Sequence, residues 1–380
     1  MSDIYELLLD KLDTLGKGYP RTEEGSEMIF IKKVFSEEDA AFHIKMKPGL
    51  HSAKETSQYM GISEEEAKEN LERMAGKHLL FWQYGPNDTE KRYRLIPYVH
   101  GIWEFNVDMI DAADAKNMGY YYMNGFGESL FDYRLPISRV VPIRPETVKD
   151  DQILPIDDVR EHIKQQGLIV VTDCACRAVG KFGKPCACTD TINRCMMFGD
   201  TARYYIDEKI GNTRIITAKE ALDIIEQDDD LGIFLLAGHS TTYSGVCSCA
   251  PCHCGILMAA KVSNRAGPKH KKETFDKWGN YLCTKDTEKC INCGVCVRRC
   301  PMRAMRKGED GIVSFDRSKC FGCGLCVTKC PEGALILERK PQDQLNLPED
   351  AIAYDSFDRM AIEKAIVDKE RQILAAGEKL

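Results

Sequence analysis

Apolar and polar positions recur with a helical period over the first hundred residues. Ser36-Glu37-Glu38-Asp39 opens one helix, Ser52–Met60 forms a short second one ending at Gly61, and Ser63-Glu64-Glu65-Glu66 opens a third as a capping box. Ile62, Ala67, Leu71 and Met74 give the third helix an apolar face. Phe81-Trp82-Gln83-Tyr84 and Arg92-Tyr93-Arg94-Leu95 flank a turn signal at Gly85-Pro86-Asn87-Asp88, which predicts a hairpin. Residues 101–165, with Tyr120–Gly127 and a proline-containing run from Pro136 to Pro155, read as a connector with some helix. Leu168–Thr172 predicts a strand, Thr217–Glu220 caps a helix running through Ile225, and Ile233–Leu236 predicts a second strand. Pro341 to Pro348 reads as a polar linker. From Ser356 to about Ala376 a charged helix carries Ile362, Ile366 and Ile373 on one stripe. The expected class is α+β in several domains: 1–100, a connector at 101–165, a cysteine-rich α/β module at 166–262, a further module at 275–340, and a linker with a helix at 341–380.

The chemistry concentrates in the last two modules. Residues 290–301 and 320–331 both carry the spacing C-x2-C-x2-C-x3-C-P. Two intervening residues let a chain wrap a cubane so that successive thiolates reach different irons. The double run resembles the ligand motif of a bacterial-type ferredoxin with two 4Fe–4S clusters, in which the fourth cysteine crosses to the other cluster. That resemblance assigns Cys290, Cys293, Cys296 and Cys330 to one cluster, and Cys320, Cys323, Cys326 and Cys300 to the other. Gly294 and Gly324 permit tight turns beside sulfide, and Pro301 and Pro331 end each wrap. Zinc takes four ligands, so eight at this spacing form a poor zinc pattern. Tyr281–Lys289 aligns with Gly311–Lys319, and Ala304 with Ala334, so the half-unit is duplicated. Cys283 falls opposite Val313, which makes it a small buried apolar residue on a strand and not a ligand.

A second set follows the two predicted strands: Cys174, Cys176, Cys186, Cys188 and Cys195, then Cys247, Cys249, Cys252 and Cys254. Segments that both follow strands converge at one end of a small sheet. The whole chain resembles a group of prokaryotic 4Fe–4S dicluster-domain proteins from anaerobes. These combine a winged-helix-like start, C-x-C-R, a C-x7-C before Phe-Gly, a C-x-C-rich loop and a terminal ferredoxin module. The matching residues are Cys174, Cys176 and Arg177, then Cys188 and Cys195 before Phe198-Gly199, then Cys247, Cys249, Cys252 and Cys254. The chain departs from the group's pattern in having Pro185 upstream of the C-x7-C pair, and Ala250, Pro251 and His253 in the last loop. Eight matched cysteines suffice for one or two further 4Fe–4S clusters, with Cys186 spare. They also suit one cluster plus a tetrahedral zinc, or a redox-active dithiol. His253 reads as a hydrogen-bond donor to sulfur ahead of a metal ligand. Arg177 reads as a group that stabilises a reduced cluster, the alternative being a surface salt bridge.

Composition then narrows the setting. Eighteen cysteines without a charged-then-apolar leader argue for metal ligation and a cytoplasmic, anaerobic context. No stretch reaches the roughly 18 apolar residues of a membrane span. The net charge is −7, but residues 283–340 carry twelve Lys/Arg against seven Asp/Glu, or +5, which two clusters of about −2 each nearly cancel. Arg298, Arg299, Arg303, Arg306 and Lys307 form a stripe there, read as a solvated helix face ahead of a docking surface for an acidic partner. Helix, turn, helix and hairpin over 1–100 resemble a winged helix. Glu64, Glu65, Glu66, Glu69 and Glu72 on its third helix would meet phosphates, so DNA binding is not expected and a protein-interaction role is. Neither a G-x-G-x-x-G after a strand nor a Walker A motif is present. The expected function is an iron–sulfur subunit relaying electrons to or from a partner oxidoreductase. The alternatives are an enzyme with a substrate-binding cluster in the 174–254 module and a redox-sensing winged-helix regulator.

Overall fold

The computed structural model describes residues 3–85, 90–130, 138–183, 185–241, 244–259 and 278–347. The tail helix expected after Ser356 and the tip of the hairpin lie outside the described residues. The chain forms two units, one of residues up to Ser129 with Tyr204–Gly211, the other of Leu130–Arg203 with Asn212–Leu347.

In the first unit the helices are α1 (Ile4–Asp13), α2 (Ser26–Val34), α3 (Glu37–Lys45), α4 (Ala53–Met60) and α5 (Glu64–Gly76), followed by β1 (Leu80–Tyr84) and β2 (Lys91–Leu95). Reciprocal capping boxes form at Ser36 with Asp39 and at Ser52 with Glu55, and Ser63 accepts the Glu66 amide. The two strands pair antiparallel from Leu80↔Leu95 to Tyr84↔Lys91, and His51 bridges Tyr93. On α5 the buried stripe is Ala67, Leu71, Met74 and Ala75, while Glu64, Glu65, Glu66, Glu69 and Glu72 are exposed. Asp39 is fully buried and receives Arg73 and Lys77 from α5, which fastens α3 to it.

The connector expected over 101–165 divides between the units. Its first part packs in the first unit, where Trp103, Tyr121, Tyr122 and Phe126 join the rings of Tyr19, Phe30 and Tyr98. This aromatic mass is too apolar to run as a surface linker. The second part supplies β3 (Ser138–Val141) to the other unit.

That second unit is built on a six-stranded sheet in the order β3-β7-β8-β5-β4-β6, whose neighbouring strands run antiparallel. Its other strands are β4 (Ile169–Asp173), β5 (Asn193–Phe198), β6 (Arg214–Ile215), β7 (Phe234–Gly238) and β8 (Gly245–Cys249). The helix α6 (Ala218–Leu231) starts from the capping box of Thr217 with Glu220 and buries Ala221, Ile224 and Ile225 in the sheet core. The 275–340 segment contributes β9 (Tyr281–Lys285), a helical turn over Val295–Arg299, β10 (Met305–Lys307), β11 (Val313–Phe315) and β12 (Leu335–Arg339), with β9 pairing β12 and β10 pairing β11.

This segment and the sheet are one packed body. Phe321 and Phe234 rings lie 5.2 Å apart, and the Ile143 amide donates to the Cys323 carbonyl at 3.0 Å. The fully buried Arg139 donates to Asp157 at 2.6 Å, and Asn280 reaches the same carboxylate at 2.9 Å. At the end of α6 the fully buried Asp229 accepts from Arg144 Nε at 2.7 Å, Arg299 Nη2 at 2.7 Å and Thr328 Oγ1 at 2.6 Å. Arg299 therefore leaves the expected basic stripe: it is held inside the chain, while Arg298, Arg303, Arg306 and Lys307 stay exposed.

Two outcomes are expected. Burial, with Lys11 adding to it, pushes the fully buried His43 down to about 3, against a usual histidine value near 6.5. The unfolded chain takes up that proton first, so the stability His43 supplies is present above pH 6.5 and is lost as the pH falls. The loss should reach roughly 3 kcal/mol by pH 4. Denaturant melts across this range should show a weaker acid dependence in His43→Leu, and an unchanged slope would count against this account. Asp229→Ala should lower the denaturant midpoint by the equivalent of about 3 kcal/mol, because it removes the only carboxylate that pairs with the enclosed Arg299 among the described residues and the buried partner of Arg144 Nε. The exposed neighbour provides the control, as Asp230→Ala should cost under about 1 kcal/mol.

Candidate metal centres

The described cysteines fall into three settings. In the 275–340 segment two cavities each gather three cysteines of one run and one of the other. The first is lined by Cys290, Cys293, Cys296 and Cys330. The second is lined by Cys300, Cys320, Cys323 and Cys326. The duplicated backbone creates both. Left-handed residues recur thirty positions apart, at Asn292 and Gly322, at Gly294 and Gly324, and at Arg303 and Gly333. At Gly322 a Cβ would lie 2.2 Å from the Tyr281 carbonyl, so only glycine fits, whereas Asn292 tolerates the same conformation at the wetter cavity. Amides also point at sulfur: Ala304 donates to Cys300 Sγ at 3.2 Å and Cys283 to Cys320 Sγ at 3.5 Å. Burial pushes Cys320 up to about 11, and burial with the sulfurs of Cys326, Cys293 and Cys290 does the same to Cys296. Crowded thiolates in a dry cavity repel one another, and a bound cationic centre would relieve that repulsion. The donor set, the spacing around each cavity and the amides fit a 4Fe–4S cluster in each.

Cys283 is buried on β9, as its alignment with Val313 predicts, but its sulfur also faces the second cavity and lies 3.7 Å from Cys326 Sγ.

The second setting is the sheet. Cys195 lies on β5 and Cys247 and Cys249 on β8, so these three stand on strands and not in a loop beyond them. Gly245-Val246-Cys247-Ser248-Cys249 does carry the two-residue alternation that marks a strand, a signal hidden by reading the cysteines as a loop motif. The Met196↔Val246 pair places Cys195 directly across from Cys247. Cys174 and Cys176 follow β4, and Cys254 precedes the helical turn at 255–259. Sulfur contacts link Cys174 to Cys176 and Cys195, Cys195 to Cys247, Cys247 to Cys249, and Cys249 to Cys254. The Gly255 amide donates to Cys176 Sγ at 3.4 Å. Six of the eight matched cysteines thus form one group.

Arg177 is closed in beside them at 2% exposure, so it is no surface salt bridge. Its Nη2 donates to the Ser248 carbonyl at 2.8 Å, while Nε and Nη1 have no hydrogen-bond partner among the described residues. Burial disfavours its charge, yet Cys174, Cys195, Cys249 and Asp228 raise its pKa above the usual arginine value. Contacts from Cys176 and Cys195, with Arg177 nearby, hold the Cys174 thiol well below its usual range. Two unpaired cationic N–H groups among six sulfurs fit an anionic thiolate–metal cluster.

The other two matched cysteines stand elsewhere. Cys252 Sγ lies 3.6 Å from Cys186 Sγ and 3.7 Å from Cys188 Sγ, and His253 Nδ1 lies 3.3 Å from Cys252 Sγ. Cys186, spare in the sequence reading, is therefore grouped with Cys188, Cys252 and His253. The eight do not divide four and four.

A family model described as 4Fe-4S dicluster domain matches residues 289–334. No curated protein matches the sequence.

The second cavity gives a test on the protein's own residues. Cys326 Sγ donates to Cys283 Sγ at 3.7 Å and Cys283 Sγ donates to the Thr284 carbonyl at 3.5 Å; with Cys326 held as a thiolate, Cys283 would turn its S–H toward it, while Val313 offers nothing equivalent to the first cavity. Hydrogen bonds to ligand sulfur raise a cluster's potential. Cys283→Val should therefore lower the midpoint of one of two reductive EPR titration steps and leave the other in place. Two unmoved steps would remove this role.

Proposed function

With a 4Fe–4S dicluster domain at 289–334, we propose that this chain is an iron–sulfur electron-transfer protein working with a partner oxidoreductase in anaerobic metabolism. Cys290, Cys293, Cys296 and Cys330 would hold one 4Fe–4S cluster, and Cys320, Cys323, Cys326 and Cys300 the other. The observation that carries the reading is the exchange of the fourth cysteine, which lines the cavity of the opposite run in both directions. Bound there, such clusters supply one-electron transfer without substrate chemistry of their own. The six cysteines Cys174, Cys176, Cys195, Cys247, Cys249 and Cys254 would hold one further iron–sulfur cluster, with Arg177 offsetting its negative charge. The first unit, winged-helix-like in the order of its elements, serves protein interaction in this reading. The exposed carboxylates of α5 favour that over DNA.

Anaerobically purified protein should carry about twelve irons per chain, four for each of three cubane-sized centres. Cys293 is exposed at the edge of its cavity, so Cys293→Ser should remove one reduced-cluster EPR signal and leave those of the other two centres. Loss of all iron from a folded Cys293→Ser protein would overturn the separate ligand sets. An iron content near eight would confine the clusters to the dicluster domain.

A further inference from the structure

We propose that Cys186, Cys188, Cys252 and His253 form a separate mononuclear zinc site of the Cys3His type, distinct from every iron–sulfur centre assigned above. The ligand atoms of Cys186, Cys252 and His253 all lie within 4.8 Å of one another. Cys188 completes the set through its 3.7 Å contact with Cys252, and its side chain also meets Cys186. A tetrahedral zinc with Zn–S near 2.3 Å and Zn–N near 2.0 Å requires ligand atoms roughly 3.5–3.8 Å apart. The 3.6 and 3.7 Å separations of Cys252 from the other two sulfurs match sulfur–sulfur edges of that tetrahedron, while His253 Nδ1 stands slightly closer to Cys252, at 3.3 Å, and Cys188 lies outside the group of three that is mutually within 4.8 Å.

Donor count and donor type separate this site from a cubane. Each of its irons takes one cysteine, so the four sulfurs stand apart across the cluster. In the ferredoxin-type segment Cys290, Cys293, Cys296 and Cys330 stand around one cavity in that way. Around Cys252 three sulfurs and one imidazole nitrogen come together, four donors for one ion, whereas the sulfurs in contact on the sheet number six and include no nitrogen. The imidazole selects within that class, because histidine nitrogen with thiolates is a zinc set.

The ring is also seated for the task. A Cβ on Gly180 would lie 2.6 Å from His253 Nε2, so this glycine lets the imidazole rest against the helix Ala175–Gly180 with Nδ1 toward Cys252. The site has a structural purpose as well. The described residues between that helix and β5 form no helix or strand before Asn193, and most are exposed. A segment with so little apolar burial gains order from a metal cross-link, whose binding energy becomes folding energy as the thiol protons are displaced.

The experiment is metal analysis with zinc X-ray absorption on the full chain purified anaerobically. About one zinc per chain is expected, with three sulfurs near 2.3 Å and one nitrogen near 2.0 Å. Cys252→Ser should lose at least tenfold in zinc at unchanged iron. If that variant does not fold, His253→Cys keeps the question answerable: it should retain zinc and convert the shell to four sulfurs. Absence of zinc from the wild type, iron in its place, loss of iron with zinc retained in Cys252→Ser, or an unchanged shell in His253→Cys would each overturn the proposal. The iron of the dicluster domain is read separately, so failure here leaves the electron-transfer reading standing.

Discussion

One buried carboxylate organises the second unit. Asp229 closes the last turn of α6 and takes its hydrogen bonds from Arg299 and Thr328, which sit between the third and fourth cysteines of the two ligand runs. A single side chain therefore fixes both wraps against the sheet, with Arg144 bringing in the segment after β3. The charge is tolerable away from water only because it is fully paired. Around it Phe234 packs on Phe321, and Cys323 enters the same apolar core as Cys249 and Cys254. The cysteine-rich sheet and the duplicated segment, which look like separate modules in sequence, are joined through this point.

Much of this was legible beforehand because the signals are local. Capping residues at Ser36, Ser52 and Thr217, the turn-flanked aromatic strands at 81–84 and 92–95, and the thirty-residue repeat each express short-range stereochemistry. What escaped depends on pairing between distant residues. Cys195 faces Cys247 only because β5 and β8 are neighbours, a fact of sheet order that neither segment encodes alone. Cys186 joined Cys188 and Cys252 for the same reason. Arg299 reads as a surface charge because its buried partner lies about seventy residues away, and the enclosure of Arg177 depends on an equally distant carbonyl, that of Ser248. The connector was misjudged because tyrosines and glycines between helices resemble a linker until their rings are seen to stack.

The duplicated half-units have diverged in their surroundings more than in their ligands. Cys293 is exposed, whereas Cys323 is buried in the sheet core. Asn292 stands where Gly322 stands, and Val313 where Cys283 stands. Solvent access and hydrogen bonds to sulfur set a cluster's potential, so identical ligand geometry can yield two unequal electron carriers.

The enclosed guanidinium of Arg177 bears on how the protein is assembled. A cation shut away from water must be neutralised by groups sharing its enclosure; here these are Cys174, Cys195 and Cys249, which carry charge only when deprotonated or bound to metal, and Asp228, which Arg194 already pairs. While the six thiols hold their protons, closing the sheet around Arg177 strands a positive charge in a dry interior. Once they are ionised, the same closure makes an ion pair of the whole site. Closure of this core and ionisation of its cysteines therefore favour one another.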